Sequence, residues 1–183
     1  MGHHVRHQSA MRGTTSICGG LFCVDDRIHV EPLEETERSA LCRMLEESAD
    51  ATRYERGLFR RRSADTTLVA HFPDVIVGMI TGPLRADFNS SGVFGEFAPP
   101  PGRHGLLARV HVSDQIRGRG VGRALVHAFA EEALACECTF LGGHVDGTSN
   151  VAVRRAFFQD CGFRLIQESF GASPEDVAHA THR

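Results

Sequence analysis

The sequence lacks the features that would assign it at once to several classes of protein. It has no basic excess, because 20 lysines and arginines stand against 23 aspartates and glutamates. A surface that follows nucleic-acid phosphates is therefore not expected. No apolar run approaches the roughly 18 residues of a membrane-spanning helix, so no membrane partner is expected either. Residues 1–12 contain histidines and arginines without a following apolar stretch, which predicts a cytoplasmic protein rather than an exported one.

The six cysteines also form no pattern typical of a metal site or a disulfide framework. Cys136 and Cys138 are one residue apart, whereas zinc sites favour two pairs with two intervening residues. Without an export signal, reduced thiols are the expected state. We therefore expect the cysteines to act as small apolar residues, and we expect no bound metal.

What the sequence does contain suits one compact domain. It has 183 residues, of which 42% are hydrophobic, enough for a core that folds alone. Residues 1–26 are rich in Gly, Ser, His and Thr and are expected to be a flexible tail. The folded domain is expected over residues 27–171, and residues 172–183 are expected to form a second tail.

Apolar periodicity and turn residues predict an α/β layered domain in which strands and helices alternate in the second half. The predicted strands cover residues 28–30, 66–72, 75–81, 93–97, 106–112, 139–145 and 163–170. The predicted helices cover residues 34–49, 52–62, 120–136 and 151–161. A long loop is predicted over residues 83–105. Gly78, inside the third predicted strand, indicates a bulge or a close backbone approach.

The most informative segment is QIRGRGVG, residues 115–122, between a predicted strand and a predicted helix. Glycines let several backbone N–H groups converge on one point. The start of a helix adds further N–H groups and a partial positive charge. Formal charge comes from Arg117, Arg119 and Arg123. Together these features predict an anion site that suits a phosphate or pyrophosphate.

Two common phosphate motifs do not fit this segment. A P-loop needs Gly-Lys-Ser/Thr at its end, but Gly122 is followed by Arg123 and Ala124. The dinucleotide motif would need a third glycine at position 123, and it usually lies in the first strand–helix unit. A purely structural role for the glycines, as a tight turn from strand to helix, stays open as the alternative.

The segment RGRGVGRAL, residues 117–125, follows the strand residues 109–112 and resembles motif A of the GNAT superfamily of acyl-CoA N-acetyltransferases, Gln/Arg-x-x-Gly-x-Gly/Ala. Asn150 and the segment FFQDCGF, residues 157–163, resemble the family's motif B. Residues 75–80 resemble its third strand. The similarity covers roughly residues 28–170. It implies a mixed, mostly antiparallel central sheet flanked by helices, with strands 4 and 5 splayed apart.

The resemblance also implies acetyl-CoA as co-substrate and an amine as the second partner, and it leaves a homodimer open. Main-chain groups of residues 110–112 would pair with the pantetheine arm, and amides of residues 117–122 would hold the pyrophosphate. Asn150 would bond the arm from the other side, or cap the following helix. The residues assigned to the cofactor are Val110, His111, Val112, Arg117, Gly118, Arg119, Gly120, Val121, Gly122, Arg123, Asn150 and Phe158.

Acetyl transfer to an amine needs a polarised carbonyl, an uncharged amine and a group that accepts its proton. The candidates for that general base are His111, His104 and Glu96, as alternatives. The family commonly supplies a tyrosine acid on the motif B helix, but Phe157 and Phe158 occupy the matching positions. The sequence thus predicts an N-acetyltransferase of unidentified amines, with a non-catalytic acyl-CoA-binding module as the alternative.

Overall fold

The computed structural model describes residues 28–48, 65–145 and 150–180. The strands are β1 (His29–Pro32), β2 (Thr66–His71), β3 (Ile76–Gly82), β4 (Arg103–Leu107), β5 (Arg109–Val112), β6 (Cys138–His144), β7 (Arg164–Ile166) and β8 (Ser169–Ala172). The α-helices are α1 (Arg38–Glu47), α2 (Phe88–Ser91), α3 (Val121–Ala135), α4 (Val151–Asp160) and α5 (Pro174–Ala178). Short 3-10 helices cover Glu35–Glu37, Gly95–Phe97 and Asp114–Ile116. The tail predicted over 1–26 and the helix predicted over 52–62 lie outside the described residues.

The strands form two sheets. The first has the order β1-β2-β3-β5 and is antiparallel throughout. The second has the order β4-β6-β8-β7, and only its β4–β6 pair is parallel. The expectation of a mixed, mostly antiparallel sheet flanked by helices is therefore confirmed.

The break between the sheets lies at Ala108, because β4 and β5 are two halves of one strand path. β4 pairs with β6, whereas β5 pairs with β3. The N–H of Ala108 donates to the carbonyl of Thr81 at 3.0 Å, which keeps this point on the first sheet. Beyond it, β5 and the end of β6 belong to different sheets and diverge. In the numbering of the family, the path of β4 and β5 is strand 4 and β6 is strand 5, so this divergence is the splay that the resemblance implies.

Helix α3 packs on one side of both sheets. Its buried stripe, Val121, Leu125, Phe129 and Ala133, is the one that the sequence periodicity predicts. Gly78 allows the close approach of this helix, because a Cβ atom there would lie 3.1 Å from both the Val121 and the Leu125 side chains. A register shift lies opposite, between Ala70 and His71. Both interpretations of Gly78, a bulge and a close approach, are confirmed.

Two separate segments pack on the other side of the two sheets. Over the first sheet lies α1, which buries Leu41, Met44 and Leu45. Over the second sheet lies the segment between β3 and β4, which buries a cluster of aromatic rings against β6. That cluster consists of Phe88, Phe94, Phe97 and Phe140.

Three predicted elements need correction. Residues 93–97 are not a strand, because Phe94 and Ala98 have left-handed φ angles of 61° and 48° that enclose a 3-10 turn. The strand predicted from 106 begins at Arg103, inside the predicted loop. The strand predicted over 163–170 is a hairpin, β7 and β8, with Gln167 left-handed at the turn, φ 51°.

The C-terminal segment differs from the tail expected over residues 172–183. It contains helix α5, Pro174–Ala178, on which Val177 is fully buried. The Ser173 side chain accepts a hydrogen bond from the N–H of Asp176, and Pro174 occupies the first turn. A serine cap followed by proline and acidic residues is a typical helix start, so the signal was present in the sequence.

The described cysteines have no disulfide partner, and two of them are core residues. Burial raises the pKa of the Cys161 thiol to about 12 and also raises the pKa of Cys138. For these two, the expected role as small buried residues is confirmed. Among the described residues, no helix is long and apolar enough to cross a membrane.

Candidate functional site

A gap opens where β5 and β6 diverge. Because β4 and β6 run parallel, their carboxyl ends meet at the same end of the molecule. β5 continues from β4 into the first sheet, where it is the edge strand. One edge of residues 110–112 therefore faces the gap, with the start of α4 beyond the end of β6. An extended chain could add itself to such an edge through main-chain hydrogen bonds.

The glycine-rich loop closes one end of this gap. After the 3-10 turn Asp114–Ile116, the chain reverses at Gly118 and Gly120, whose φ angles of 78° and 85° are left-handed. Buried Ile116 and Val121 anchor the loop on both sides, while Gly118 is exposed. A Cβ atom on Gly118 would meet no atom within 4 Å, so the space above the loop is open.

The loop leads into the N-terminus of α3 without a side-chain cap. Gly120 occupies the N-cap position and has no side chain to accept a hydrogen bond. The first helical bond runs from Ala124 N–H to Gly120 O at 3.0 Å. The N–H groups of residues 121–123 therefore have no partner within the helix. With the helix dipole, they make this terminus suitable for an anion.

The loop arginines surround this terminus differently. Arg117 forms an ion pair with Asp114 at 2.7 Å, and its Nε donates to the Val112 carbonyl at 3.3 Å. The guanidinium of Arg119 lies 6.0 Å from the centre of the Phe72 ring. Arg123 lies on the first turn of α3 and is partly buried. All three positively charged groups thus belong to the loop or the first helical turn.

The two phenylalanines of α4 point in different directions. A Cβ atom on Gly122 would lie 3.2 Å from the Phe157 ring and 3.7 Å from Val112. Phe157 therefore lies against the start of α3, beside the gap. Phe158 is buried in the core, where its ring stacks on Phe170 with centroids 3.8 Å apart. The structure does not bring Phe158 together with the other residues assigned to the cofactor.

Asn150 lies at the start of α4, across the gap from β5. Its backbone is left-handed, with φ 51°, and its side chain is exposed and makes no capping hydrogen bond. The capping alternative of the sequence analysis is thus not observed. The side chain is available to the gap.

His104 is part of the structure of the long β3–β4 segment. It is fully buried, and its ring stacks on Phe88 with centroids 5.1 Å apart. Nδ1 accepts the N–H of Phe88 at 2.9 Å, and Nε2 lies 2.8 Å from the Pro100 carbonyl, to which it must donate. Both ring nitrogens are occupied. This geometry argues against His104 as the general base.

His111 and Glu96 lie on the side of the sheets opposite to α3. His111 is the cross-strand partner of Met79, which packs under α1, so both side chains share that face. His111 is buried, with 7% of its surface exposed. Glu96 is exposed in its 3-10 turn, where Gln167 Nε2 donates to its carboxylate at 3.5 Å.

A further histidine on this side is one that the sequence analysis missed. His144 is the last residue of β6 and is exposed, at the mouth of the gap. Its ring stacks on Phe94 with centroids 4.8 Å apart, and its Nδ1 lies 3.1 Å from Ser169 Oγ. Ligands in open α/β sheets gather at the carboxyl ends of strands. That rule, applied to the end of the strand predicted over 139–145, could have identified His144.

Comparison with known proteins adds family evidence to this geometry. A family model described as "Acetyltransferase (GNAT) family" matches residues 31–163. No curated protein sequence matches the chain.

Several solved structures share the fold. NAA60 of Arabidopsis thaliana, in complex with a bisubstrate analogue, is 15% identical, with 80% of this chain and 97% of that chain covered and a TM-score of 0.63. The ribosomal-protein-S18-alanine N-acetyltransferase of Escherichia coli is 13% identical, with 79% and 90% covered and a TM-score of 0.58. PaiA N-acetyltransferase of Thermoplasma acidophilum, in complex with coenzyme A, is 13% identical, with 80% and 98% covered and a TM-score of 0.57. At these identities the likeness shows the fold alone.

Proposed function

The chain belongs to the acetyltransferase (GNAT) family, and from that premise we propose that it transfers the acetyl group of acetyl-CoA to a primary amine. The observation that supports this most is the uncapped N-terminus of α3, preceded by the left-handed Gly118 and Gly120 and by two arginines. An anion is the ligand that such a terminus favours. Acetyl-CoA provides a pyrophosphate at one end and a thioester at the other.

We assign the rest of acetyl-CoA, its pantetheine arm and its thioester, to the gap. The edge of β5 offers main-chain groups to the amides of the pantetheine arm, and Asn150 faces it from the start of α4. Solved relatives support this ligand, since NAA60 was crystallised with acetyl-CoA and PaiA with coenzyme A. A main-chain N–H near Val112 would polarise the thioester carbonyl.

We assign proton acceptance to the side of the sheets that carries His111 and His144. His144 is the stronger candidate because it is exposed at the end of β6 and its ring is fixed through Nδ1 and Phe94. Its Nε2 would accept the proton from the amine nitrogen as that nitrogen attacks the carbonyl carbon. His111 is the alternative on the opposite arm, and Glu96 could act through water.

The leaving group has no tyrosine acid at the motif B helix. Phe157 lies beside Gly122 and Val112, and we assign to it the place from which such a group would approach the sulfur. When the carbon–sulfur bond breaks, the electron pair leaves on the thiolate, which takes up the proton from the solvent or from the base. A thiol with a pKa of about 8.5 leaves tolerably in this way. The products are the acetylated amine and coenzyme A.

The absence of an acid at Phe157 also favours a second candidate, a module that binds acyl-CoA without transferring the acyl group. One experiment separates the two. Purified protein is titrated with acetyl-CoA by calorimetry, and then incubated with a panel of small amines and peptides while free thiol is followed. Binding with amine-dependent thiol release supports the enzyme. Binding with no release on any amine supports the module, and no binding overturns both.

A further inference from the structure

A second cluster of reactive side chains lies at the edge of the first sheet, outside the acyl-CoA gap. It joins Glu31 on β1, Glu37 at the start of α1 and His71 at the end of β2. One ligand atom from each residue lies within 4.8 Å of the other two. His29 and His71 are cross-strand partners, and Glu31 is two residues beyond His29. Glu31 and His71 therefore share one face of the sheet, which Glu37 approaches from the start of α1.

The imidazole of His71 has an unusual arrangement of neighbours. Its Nε2 lies 3.2 Å from an oxygen of Glu31 and 3.2 Å from an oxygen of Glu37. Yet this nitrogen is buried and, among the described residues, makes no hydrogen bond of acceptable geometry. At that distance, the failure means that both oxygens lie beside the ring nitrogen's axis rather than on it.

That arrangement suits a metal ion better than a hydrogen bond. A hydrogen bond from Nε2 requires the acceptor oxygen on the axis of the ring nitrogen. A metal ion bound to Nε2 would itself lie on that axis, and its other ligands would lie to the side of it. Zinc lies about 2.1 Å from nitrogen and oxygen ligands, so two ligands of one tetrahedral ion are about 3.4 Å apart. The two observed nitrogen–oxygen separations of 3.2 Å are close to this value, and the two carboxylate oxygens lie within 4.8 Å of each other.

The cluster is also prepared before any ion arrives. The second carboxylate oxygen of Glu37 accepts the N–H of Glu34 at 3.0 Å, which directs the first oxygen at His71. Metal-binding carboxylates are commonly held by such a bond. The His71 side chain is 12% exposed and that of Glu37 is 21% exposed. The two carboxylates together carry the charge that a divalent cation neutralises.

We propose that Glu31, Glu37 and His71 bind a divalent transition-metal ion, for which Zn²⁺ is the best match to one imidazole and two carboxylates. Water would fill the remaining position from the open cavity of about 600 Å³ beside the cluster, which His29 and Asp74 also line. The ion ties β1 and the start of α1 to the end of β2. It takes no part in acetyl transfer, because the cluster lies at the β1 edge of the first sheet and the acyl-CoA gap borders β5 at the opposite edge.

The sequence analysis expected no metal because the cysteines form no pattern typical of a metal site. The three ligands come from three elements and are 6 and 34 residues apart along the chain, from 31 to 37 and from 37 to 71. No motif spacing connects them. The pairing of β1 with β2 brings Glu31 to His71, and the turn from β1 into α1 adds Glu37.

Zinc binding to the full-length, chelator-treated protein tests the proposal. Calorimetric titration with ZnCl₂ is compared for the wild type, His71→Ala, Glu31→Gln and His179→Ala. Glu31 is 59% exposed, so its amide variant removes a charged ligand without disturbing the core. His179 is an exposed histidine on another surface and serves as the matched control. Histidines in residues 1–12 give the same background in all four proteins.

We expect the wild type and His179→Ala to bind one more zinc ion than His71→Ala, and Glu31→Gln to bind that ion about tenfold more weakly or worse. Saturating Zn²⁺ should raise the Tm of the wild type by about 5 °C or more, whereas equal Mg²⁺ should not. If stoichiometry and Tm rise were the same in all four proteins, the cluster would be a plain ion pair and the proposal would be overturned. A Mg²⁺ effect as large as that of Zn²⁺ would overturn the transition-metal assignment.

Discussion

At the gap between β5 and β6, the two faces of the sheets, the α3 side and the side opposite to it, offer different kinds of groups. On the α3 side, the groups that would hold acetyl-CoA belong largely to the backbone: the edge of β5, the glycine loop and the helix start. On the opposite side, the candidate groups are side chains, His111 and His144, set on separate strands. Backbone sites require glycines at fixed offsets, whereas side-chain sites require only that the fold brings distant residues together.

This difference predicts that the two sides respond differently to mutation. Changes on the backbone-built side should act on the affinity for acetyl-CoA. Changes on the side-chain-built side should act on the rate of transfer and leave that affinity alone.

The largest effect is expected for Gly120→Asp. The substitution places a carboxylate at the N-cap of α3, where it would accept the N–H groups that an anion needs and repel a pyrophosphate. We expect the Kd for acetyl-CoA, measured by calorimetry, to rise at least about 100-fold, since this removes several charge-assisted hydrogen bonds.

Gly92→Asp is the matched control. Gly92 has a similar left-handed φ of 70° and no atom within 4 Å of an added Cβ, but it lies in the β3–β4 segment. Both substitutions introduce a similar backbone strain and the same charge. If a folded Gly120→Asp protein bound acetyl-CoA with wild-type affinity, the role of the loop would be purely structural.

A second test concerns the proton acceptor. His144→Ala should lower kcat about 100-fold, the usual contribution of a positioned base, with little change in the Kd for acetyl-CoA.

His111→Ala and His179→Ala accompany that variant, the first as the rival base and the second as the exposed control. A large loss of kcat in His111→Ala alone would identify His111, on β5, as the base. Wild-type rates in His144→Ala, His111→Ala and Glu96→Gln would mean that no named side chain accepts the proton.

A third test compares the two phenylalanines of α4. Phe157→Tyr places a hydroxyl beside Gly122 and Val112, where we expect it to raise kcat about tenfold by protonating the thiolate. Phe158→Tyr buries the same hydroxyl among the rings of Phe163 and Phe170. That variant should lose about 1–3 kcal/mol of unfolding free energy without a gain in rate. A faster Phe158→Tyr enzyme would show that the assignment of the two rings is reversed.

The smallest effect concerns the core beneath the site. A pKa of about 12 leaves Cys161 almost entirely protonated at pH 8, and only the thiolate reacts with alkylating agents. In peptide-mapped iodoacetamide labelling, Cys161 should remain unmodified while half-buried Cys42 and Cys136 react. Since its pKa is raised by burial, unfolding should abolish this protection. Rapid labelling of Cys161 in the native protein would contradict its full burial in the core.

Much of the fold could be predicted because its signals are local. The buried stripe of α3, the hairpin β2–β3 and the close approach at Gly78 follow from periodicity and glycine placement. The 3-10 turn at Gly95–Phe97 could not, because two non-glycine residues with left-handed φ angles enclose it. Aromatic packing around Phe94 overrides the strand preference of this segment.

The site divides in the same way. The turn over 117–122 could be predicted, since its glycines allow the left-handed φ angles that Gly118 and Gly120 adopt. The side-chain roles could not, because burial decides them. His104 looks like a candidate base in the sequence until Phe88 and Pro100 occupy both of its nitrogens. Phe157 and Phe158 are adjacent, and only the packing of Phe170 shows which one faces the core.

The most direct test of the central claim is a titration of ¹⁵N-labelled protein with acetyl-CoA, followed through the backbone amide resonances. The account predicts that the largest shift changes occur at residues 118–123, since those N–H groups would bond the pyrophosphate, with smaller changes at residues 110–112. Unchanged resonances for Gly118, Gly120 and Gly122 at saturating acetyl-CoA would contradict it, because the anion would then lie elsewhere on the molecule.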